Sequence, residues 1–159
     1  MFRHHTWATL KLIDHCASLS PEHQQEAVPG TRGPILDTLV HLVAADQRYL
    51  QVMDGQAAQP RTHETEPATL DGLRAAVEAQ SARWEALVDR APELDVTIPA
   101  RGTFPETPQA ENLLFLQAIH HGNDHRTQIC TILGARGLEV PDVSGWAYWP
   151  DSKQTTPNP

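Results

Sequence analysis

Residues 118–129 read AIHHGNDHRTQI and lie within the longest segment of helical periodicity, which runs from about Pro108 to Arg136. Gly137 follows this segment, and a glycine directly after a helix is typical of a C-terminal stop. Three further amphipathic segments precede it in the chain. Four helices of this length in one chain predict an all-α fold, a four-helix bundle in which each helix buries its apolar face.

The three preceding segments cover residues 2–18, 31–55 and 69–90. Thr31 can cap the second helix, and Pro21 follows the end of the first. The first helix repeats apolar or small residues at helical spacing at Phe2, Thr6, Leu10, Ile13 and Ala17. The spacing therefore predicts that this stripe faces the core.

The segments outside the helices carry fewer signals. Alternation at residues 95–98 and 102–104 favours a short hairpin or an extended segment before the last long helix. Residues 138–159 form an irregular tail that contains Trp146, Tyr148 and Trp149 and ends in a polar, proline-rich run. We expect one domain over residues 1–150 and a disordered end over 151–159.

Composition excludes several classes of function. The 159 residues carry a formal net charge of −8, which argues against nucleic acid as a partner. No apolar run approaches the roughly 20 residues of a membrane helix, and the N-terminus lacks the apolar core of a signal peptide. A cytoplasmic protein is expected. The two cysteines, Cys16 and Cys130, have no zinc-finger spacing and are interpreted as reduced thiols.

Two pairs of potential ligands on the last helix lie one turn apart. They are His121 with His125, and His120 with Asp124. At about 100° per residue, His121 and His125 border the apolar stripe, whereas His120 and Asp124 lie about 100° to 140° away. Two histidines that face a core are either separately hydrogen bonded or share a metal ion.

A metal site inside a bundle takes ligands from more than one helix. His41 is the one histidine of the second helix and lies at the edge of its apolar stripe. That position allows the side chain to reach inward but does not require it. Helical phase alone leaves His4 and His15 on the first helix as competing ligands.

Three segments resemble one family of bacterial helical metalloproteins. They are WATL at residues 7–10, LVHLVAAD at 39–46 and HGNDHRTQI at 121–129. The sequence resembles the DinB-like family, of the DinB/YfiT type, over most of the chain to about residue 137. The resemblance implies a four-helix bundle in which His41, His121 and His125 ligate one divalent metal ion.

Three histidine ligands leave a coordination position open, as in catalytic metal sites. Imidazole suits several metals, and zinc or nickel is expected here. The resemblance implies an enzyme that transfers a low-molecular-weight thiol to an electrophile. Its alternatives are a hydrolase that uses metal-bound hydroxide and a non-catalytic stress protein that binds a metal or ligand. It also implies a small-molecule substrate and a homodimer.

Asp46 and Arg126 are the two further candidates for the site. Asp46 falls in the middle of the apolar stripe of the second helix, and a buried carboxylate needs a partner. That partner is Arg126 or a polar group of the first helix. Alternatively, Asp46 orients a ligating histidine or acts as a general base. Arg126 either pairs with Asp46 or binds an anionic substrate.

Overall fold

The computed structural model describes residues 1–56, 68–90, 96–100 and 105–154. Its long helices are α1 (Phe2–Ala17), α3 (Ile35–Met53), α4 (Leu70–Arg90) and α5 (Glu111–Ala135). The shorter elements are helices α2 (Pro21–Gln24) and α6 (Gly145–Gln154) and strands β1 (Thr97–Ile98) and β2 (Gln109–Ala110). The predicted all-α bundle is confirmed.

The long helices pack in a ring. Helix α1 packs against α4 and α5, and α3 packs against the same two neighbours, so the order around the bundle is α1, α4, α3, α5. This order places α3 beside α5 and leaves α1 diagonal to α3. His41 on α3 and the histidine pair on α5 therefore belong to adjacent helices.

The core consists of two apolar clusters stacked along the bundle. One contains Leu39, Val43 and Ile129, and the other contains Leu50, Leu114 and Trp84. Burial of each such side chain stabilises the fold by about 1.5 to 3 kcal/mol. On α5 the two candidate histidines fall between the residues of the two clusters. None of the described helices combines the length and apolar character that a membrane span requires.

The start of α3 differs from the prediction. The helix begins at Ile35 after Pro34, and its first turn has no side-chain cap. The predicted cap by Thr31 is wrong, because its hydroxyl donates to the carbonyl of Val28 at 2.8 Å and so closes the preceding turn. The hydroxyl of Ser20 instead caps the unpredicted helix α2 by accepting from the amide of His23 at 3.3 Å.

The predicted extended segment before the last helix is confirmed as strand β1, but β1 pairs with residues other than the predicted 102–104. Strand β1 pairs antiparallel with β2, with Thr97 opposite Ala110 and Ile98 opposite Gln109. Strand β2 consists of residues that the periodicity had assigned to the last helix. Helix α5 therefore begins at Glu111 and not near Pro108. The predicted hairpin arm at 102–104 falls outside the described residues.

The predicted stop after α5 is confirmed, whereas the tail contains a helix that was not predicted. Gly137 has a φ of 69°, the left-handed conformation that a stop after a helix requires. Residues 138–143 are irregular, and α6 follows them as a helix that the sequence did not predict. That helix reaches Gln154, and the last five residues lie outside the described ranges.

The buried face of α1 is rotated from the predicted stripe. Ala17 is exposed and Leu10 is only partly buried, so the predicted stripe is wrong at these two positions. Five buried residues repeat instead with alternating spacings of three and four, namely Phe2, His5, Thr9, Leu12 and Cys16. A histidine therefore occupies a core position of α1.

Candidate metal site

Three histidine rings converge between α3 and α5. The Nε2 atom of His121 lies 3.0 Å from Nε2 of His41 and 3.1 Å from Nε2 of His125. One ring nitrogen from each residue lies within 4.8 Å of the other two. Two nitrogens bound to the same zinc ion are separated by about 2.9 to 3.4 Å, depending on the bond angle. The two short distances therefore match those of ligands that share an ion.

The other candidate ligands on α1 and α5 do not join the cluster. His120 and Asp124 are exposed, as their helical phase predicts. His4, which phase left as a competitor, has its Nε2 atom 3.0 Å from the carbonyl oxygen of Val143. Neither His4 nor His15 belongs to the metal-binding group found in the described part of the chain. The predicted set of His41, His121 and His125 is thus the set that the fold brings together.

Burial keeps the central ring of the cluster neutral. Desolvation, and then the neighbouring His125, lower the pKa of His121 to about 4. A neutral imidazole has one nitrogen with a free lone pair, which a metal ion requires. His121 therefore has the protonation state of a metal ligand at neutral pH.

Gln128 fixes the orientation of the third ring. The Nδ1 atom of His125 lies 3.2 Å from the side-chain oxygen of Gln128, which also accepts from the amide of Arg32 at 3.0 Å. An amide oxygen only accepts, so Nδ1 carries the proton and Nε2 offers its lone pair to the cluster. This tautomer, together with the neutral His121, makes the donor set a fit for a divalent metal ion.

Asp46 contacts a residue that the sequence analysis did not single out. Its Oδ2 atom lies 2.6 Å from Nε2 of His5, and both side chains are almost fully buried. Of the predicted alternatives, the hydrogen bond to a polar group of the first helix is the one observed. The Oδ1 atom of Asp46 and the Nδ1 atom of His121 are both buried without a hydrogen-bond partner in the described residues.

Arg126 lies on the other side of His5. Its guanidinium donates to the hydroxyl of Thr9 at 2.9 Å and to the side-chain oxygen of Asn123 at 2.7 Å. Nη1 also lies 3.3 Å from Nδ1 of His5, which can accept because Nε2 of that ring donates to Asp46. Burial lowers the pKa of Arg126 to about 10, so the side chain stays charged at neutral pH. His5 thus separates the carboxylate from the guanidinium.

Gly122 allows α1 to approach α5 at this point. A Cβ atom at this position would overlap Cε1 of His5 and lie 2.8 Å from its Nδ1 atom. Any larger side chain would displace the His5 ring from between Asp46 and Arg126. The glycine of the HHGNDHR segment is therefore needed for packing, and it directly follows a candidate metal ligand.

The sequence carried a signal for His5 that the predicted stripe of α1 concealed. His5 is separated by seven residues from Leu12, and Phe2 is separated by seven from Thr9. A polar residue at a core position of such a repeat needs a buried partner. The buried Asp46 of α3, whose expected partner was Arg126 or a polar group of the first helix, is the matching half of the pair.

The two cysteines stand apart from the cluster. Both are free thiols, and neither belongs to the potential metal-binding group of the described residues. Burial raises the pKa of Cys16 to about 12 and also raises that of Cys130. Neither thiol is ionised at neutral pH, so neither is a nucleophile there.

Comparison with known proteins found a family model that matches most of the chain. A family model described as the DinB family matches residues 1–155. The matched range includes the three clustered histidines as well as His5 and Asp46. The search among curated proteins found no significant match.

Proposed function

Because the chain belongs to the DinB family, we propose that it binds one divalent metal ion through His41, His121 and His125. The observation that carries this proposal is the convergence of three ring nitrogens from α3 and α5. The neutral state of His121 and the tautomer of His125 support it, because both leave a lone pair for a metal. Zinc or nickel is the expected ion, since imidazole suits either.

Removal of any one ligand is expected to abolish stoichiometric metal binding. We predict that His41→Ala, His121→Ala and His125→Ala each weaken metal affinity by more than about 100-fold, since loss of an outer hydrogen bond alone costs up to that factor. The matched control is His120→Ala, which removes an exposed histidine from the same helix. Protein without a histidine tag is analysed for metal content, and affinity is measured by competition with a zinc-binding dye.

Two results would contradict the metal proposal. One is a wild-type protein that binds no zinc or nickel at micromolar concentrations. The other is an equal loss of affinity in His120→Ala and His121→Ala, which would show that the convergent rings are not the binding site.

The reaction that we propose at this site is transfer of a low-molecular-weight thiol to an electrophile. A bound divalent ion supplies Lewis acidity at its open position, where it favours the deprotonated form of a thiol or of water. In the transfer, the thiol loses its proton to solvent, its sulfur forms a bond to the electrophilic carbon, and the leaving group departs with its electron pair. The chain's own cysteines do not supply the thiolate, because burial keeps them protonated. The thiol must therefore come from solution.

Cobalt in place of the native metal provides a direct test of thiol binding. We expect 2-mercaptoethanol to produce a saturable near-ultraviolet charge-transfer band in the cobalt protein, because a thiolate bound to cobalt absorbs there. The band should persist in His120→Ala and be lost in His121→Ala. A cobalt protein that shows no band but hydrolyses an activated ester would contradict thiol transfer and favour hydrolysis. If neither is observed, the site is a non-catalytic binding site and thiol transfer is equally excluded.

The remaining expectations concern partners and location. Large apolar side chains are exposed at Leu113 and Leu116 on α5 and at Trp146 and Trp149 in α6. Such side chains are compatible with the homodimer that the resemblance implies. The homodimer, the small-molecule substrate and the cytoplasmic location stay predictions.

A further inference from the structure

A cavity adjoins α5 on a face away from the histidine cluster. It has a volume of about 400 Å³, and its walls are His4 of α1, residues 123, 126 and 127 of α5, and segment 141–144. Around α5 these wall residues lie about 100° to 160° from His125, so the cavity is distinct from the metal site. We propose that this cavity binds a small organic carboxylate through the guanidinium of Arg126.

Arg126 is a buried cation whose hydrogen-bond acceptors are all neutral. Only 3% of the residue is exposed, and it donates to the hydroxyl of Thr9, the side-chain oxygen of Asn123 and the carbonyl of His5. None of the described carboxylates lies within 4.0 Å of the guanidinium nitrogens. Asp46 is hydrogen bonded to His5 instead. A buried charge without a direct counter-charge is costly, and an anion in the cavity would reduce that cost.

Arg126 is a wall residue of the cavity, and its Nη2 atom is hydrogen bonded to a second wall residue. Nη2 donates to Oδ1 of Asn123, an exposed residue that forms part of the cavity wall. Since Oδ1 accepts this bond, the amide nitrogen of Asn123 keeps both of its protons for another acceptor. Nη2 and this amide group are therefore two donors at the same wall.

Hydroxyl groups add further donors. Thr127 lies one residue beyond Arg126 in the wall, and Ser144 faces it from the tail segment. The hydroxyl oxygen of Ser144 accepts from the amide of Ala147 at 3.3 Å, which leaves its proton free to donate. A ligand made mainly of acceptors matches this set of donors.

Asp142 sets an upper limit on the charge of that ligand. Its Oδ1 atom accepts from the backbone amide of Ser144 at 2.9 Å, and this bond lowers the pKa of the carboxyl. One wall of the cavity thus carries a fixed negative charge, which repels a phosphate dianion about twice as strongly as a carboxylate monoanion. A planar monoanionic carboxylate matches a guanidinium in shape, and the cavity is large enough for a small organic acid.

A single exposed substitution tests the site without removing the buried arginine. Asn123→Asp places a carboxylate next to Nη2 of Arg126, where it occupies the guanidinium and repels a second anion. The matched control is Asn112→Asp, the same chemical change at an exposed position of α5. Sodium acetate is titrated into ¹⁵N-labelled protein at constant ionic strength, and the backbone amide shifts are followed by NMR.

We expect saturable shifts for the amides of residues 123–127 and 142–144 with a millimolar Kd in the wild-type protein and in Asn112→Asp. The Asn123→Asp protein should bind acetate at least about tenfold more weakly, the loss that 1.4 kcal/mol of repulsion produces. Equal affinity in Asn123→Asp, or shifts confined to His121 and His125, would overturn the proposal. Tighter binding of inorganic phosphate than of acetate would overturn the assignment to a carboxylate. None of these outcomes depends on the metal proposal.

Discussion

Replacement of Asp46 by alanine is expected to lower the free energy of unfolding by about 3 to 5 kcal/mol, the usual cost of removing one partner of a buried charged network. Asp46 is 4% exposed, and its carboxylate is 2.6 Å from Nε2 of His5. Without it, the His5 ring loses its acceptor and the buried guanidinium of Arg126 loses its nearest compensating charge. Urea denaturation followed by circular dichroism measures the change.

The control for this prediction is an aspartate of a surface ion pair at the end of α3. Asp54 accepts from Arg83 at 2.6 Å, and both side chains are about one-third exposed. Because solvent screens such pairs, Asp54→Ala should cost about 1 kcal/mol or less. Equal losses in Asp54→Ala and Asp46→Ala would show that the buried network does not stabilise the bundle.

Replacement of Gly122 by alanine is expected to cost about 2 to 3 kcal/mol of stability, although alanine is the better helix former. The added Cβ atom would overlap the ring of His5. That ring cannot swing away cheaply, because it is 2% exposed and hydrogen bonded to Asp46. Relief would require α1 to move away from α5. The change is measured by thermal and urea denaturation.

Gly134 of the same helix provides the matched comparison. A Cβ atom there would lie 3.6 Å from Cγ2 of Val140, an ordinary van der Waals distance. Gly134→Ala is therefore expected to be neutral or to stabilise by up to about 1 kcal/mol. A double variant with His5→Ala should tolerate Gly122→Ala better than the wild type does. If the cost of Gly122→Ala is unchanged in that background, the clash with His5 is not its cause.

Local periodicity was sufficient for the four long helices and for two of the three histidines of the candidate metal site. His121 and His125 lie on the same helix, so their shared face follows from the rise and turn of that helix alone. His41 could not be selected in this way, because its proximity depends on which helices are neighbours in the ring. That order arises from packing, which one helix's pattern does not encode, and here only the family resemblance identified the residue.

The errors in the strand pairing and in the buried face of α1 have the same physical origin, because both features depend on contacts between different segments of the chain. Strands of two residues are too short for an alternating pattern, and the pairing of Thr97 with Ala110 joins distant parts of the chain. On α1, the predicted stripe followed apolar and small residues, whereas the buried face passes through His5, a polar residue that a search for apolar periodicity does not count. The partner that makes the burial of His5 favourable lies on another helix.

The burial of the two thiols has a consequence for tests of the proposed reaction with electrophiles. Alkylation of a cysteine requires its thiolate, and the raised pKa values of Cys16 and Cys130 keep that form scarce at neutral pH. Cys16 is also inaccessible to reagents, since its exposed fraction is 0%. Both cysteines should therefore react slowly with electrophiles, and compounds that react mainly with thiols can be screened as substrates with little interference from the chain's own cysteines.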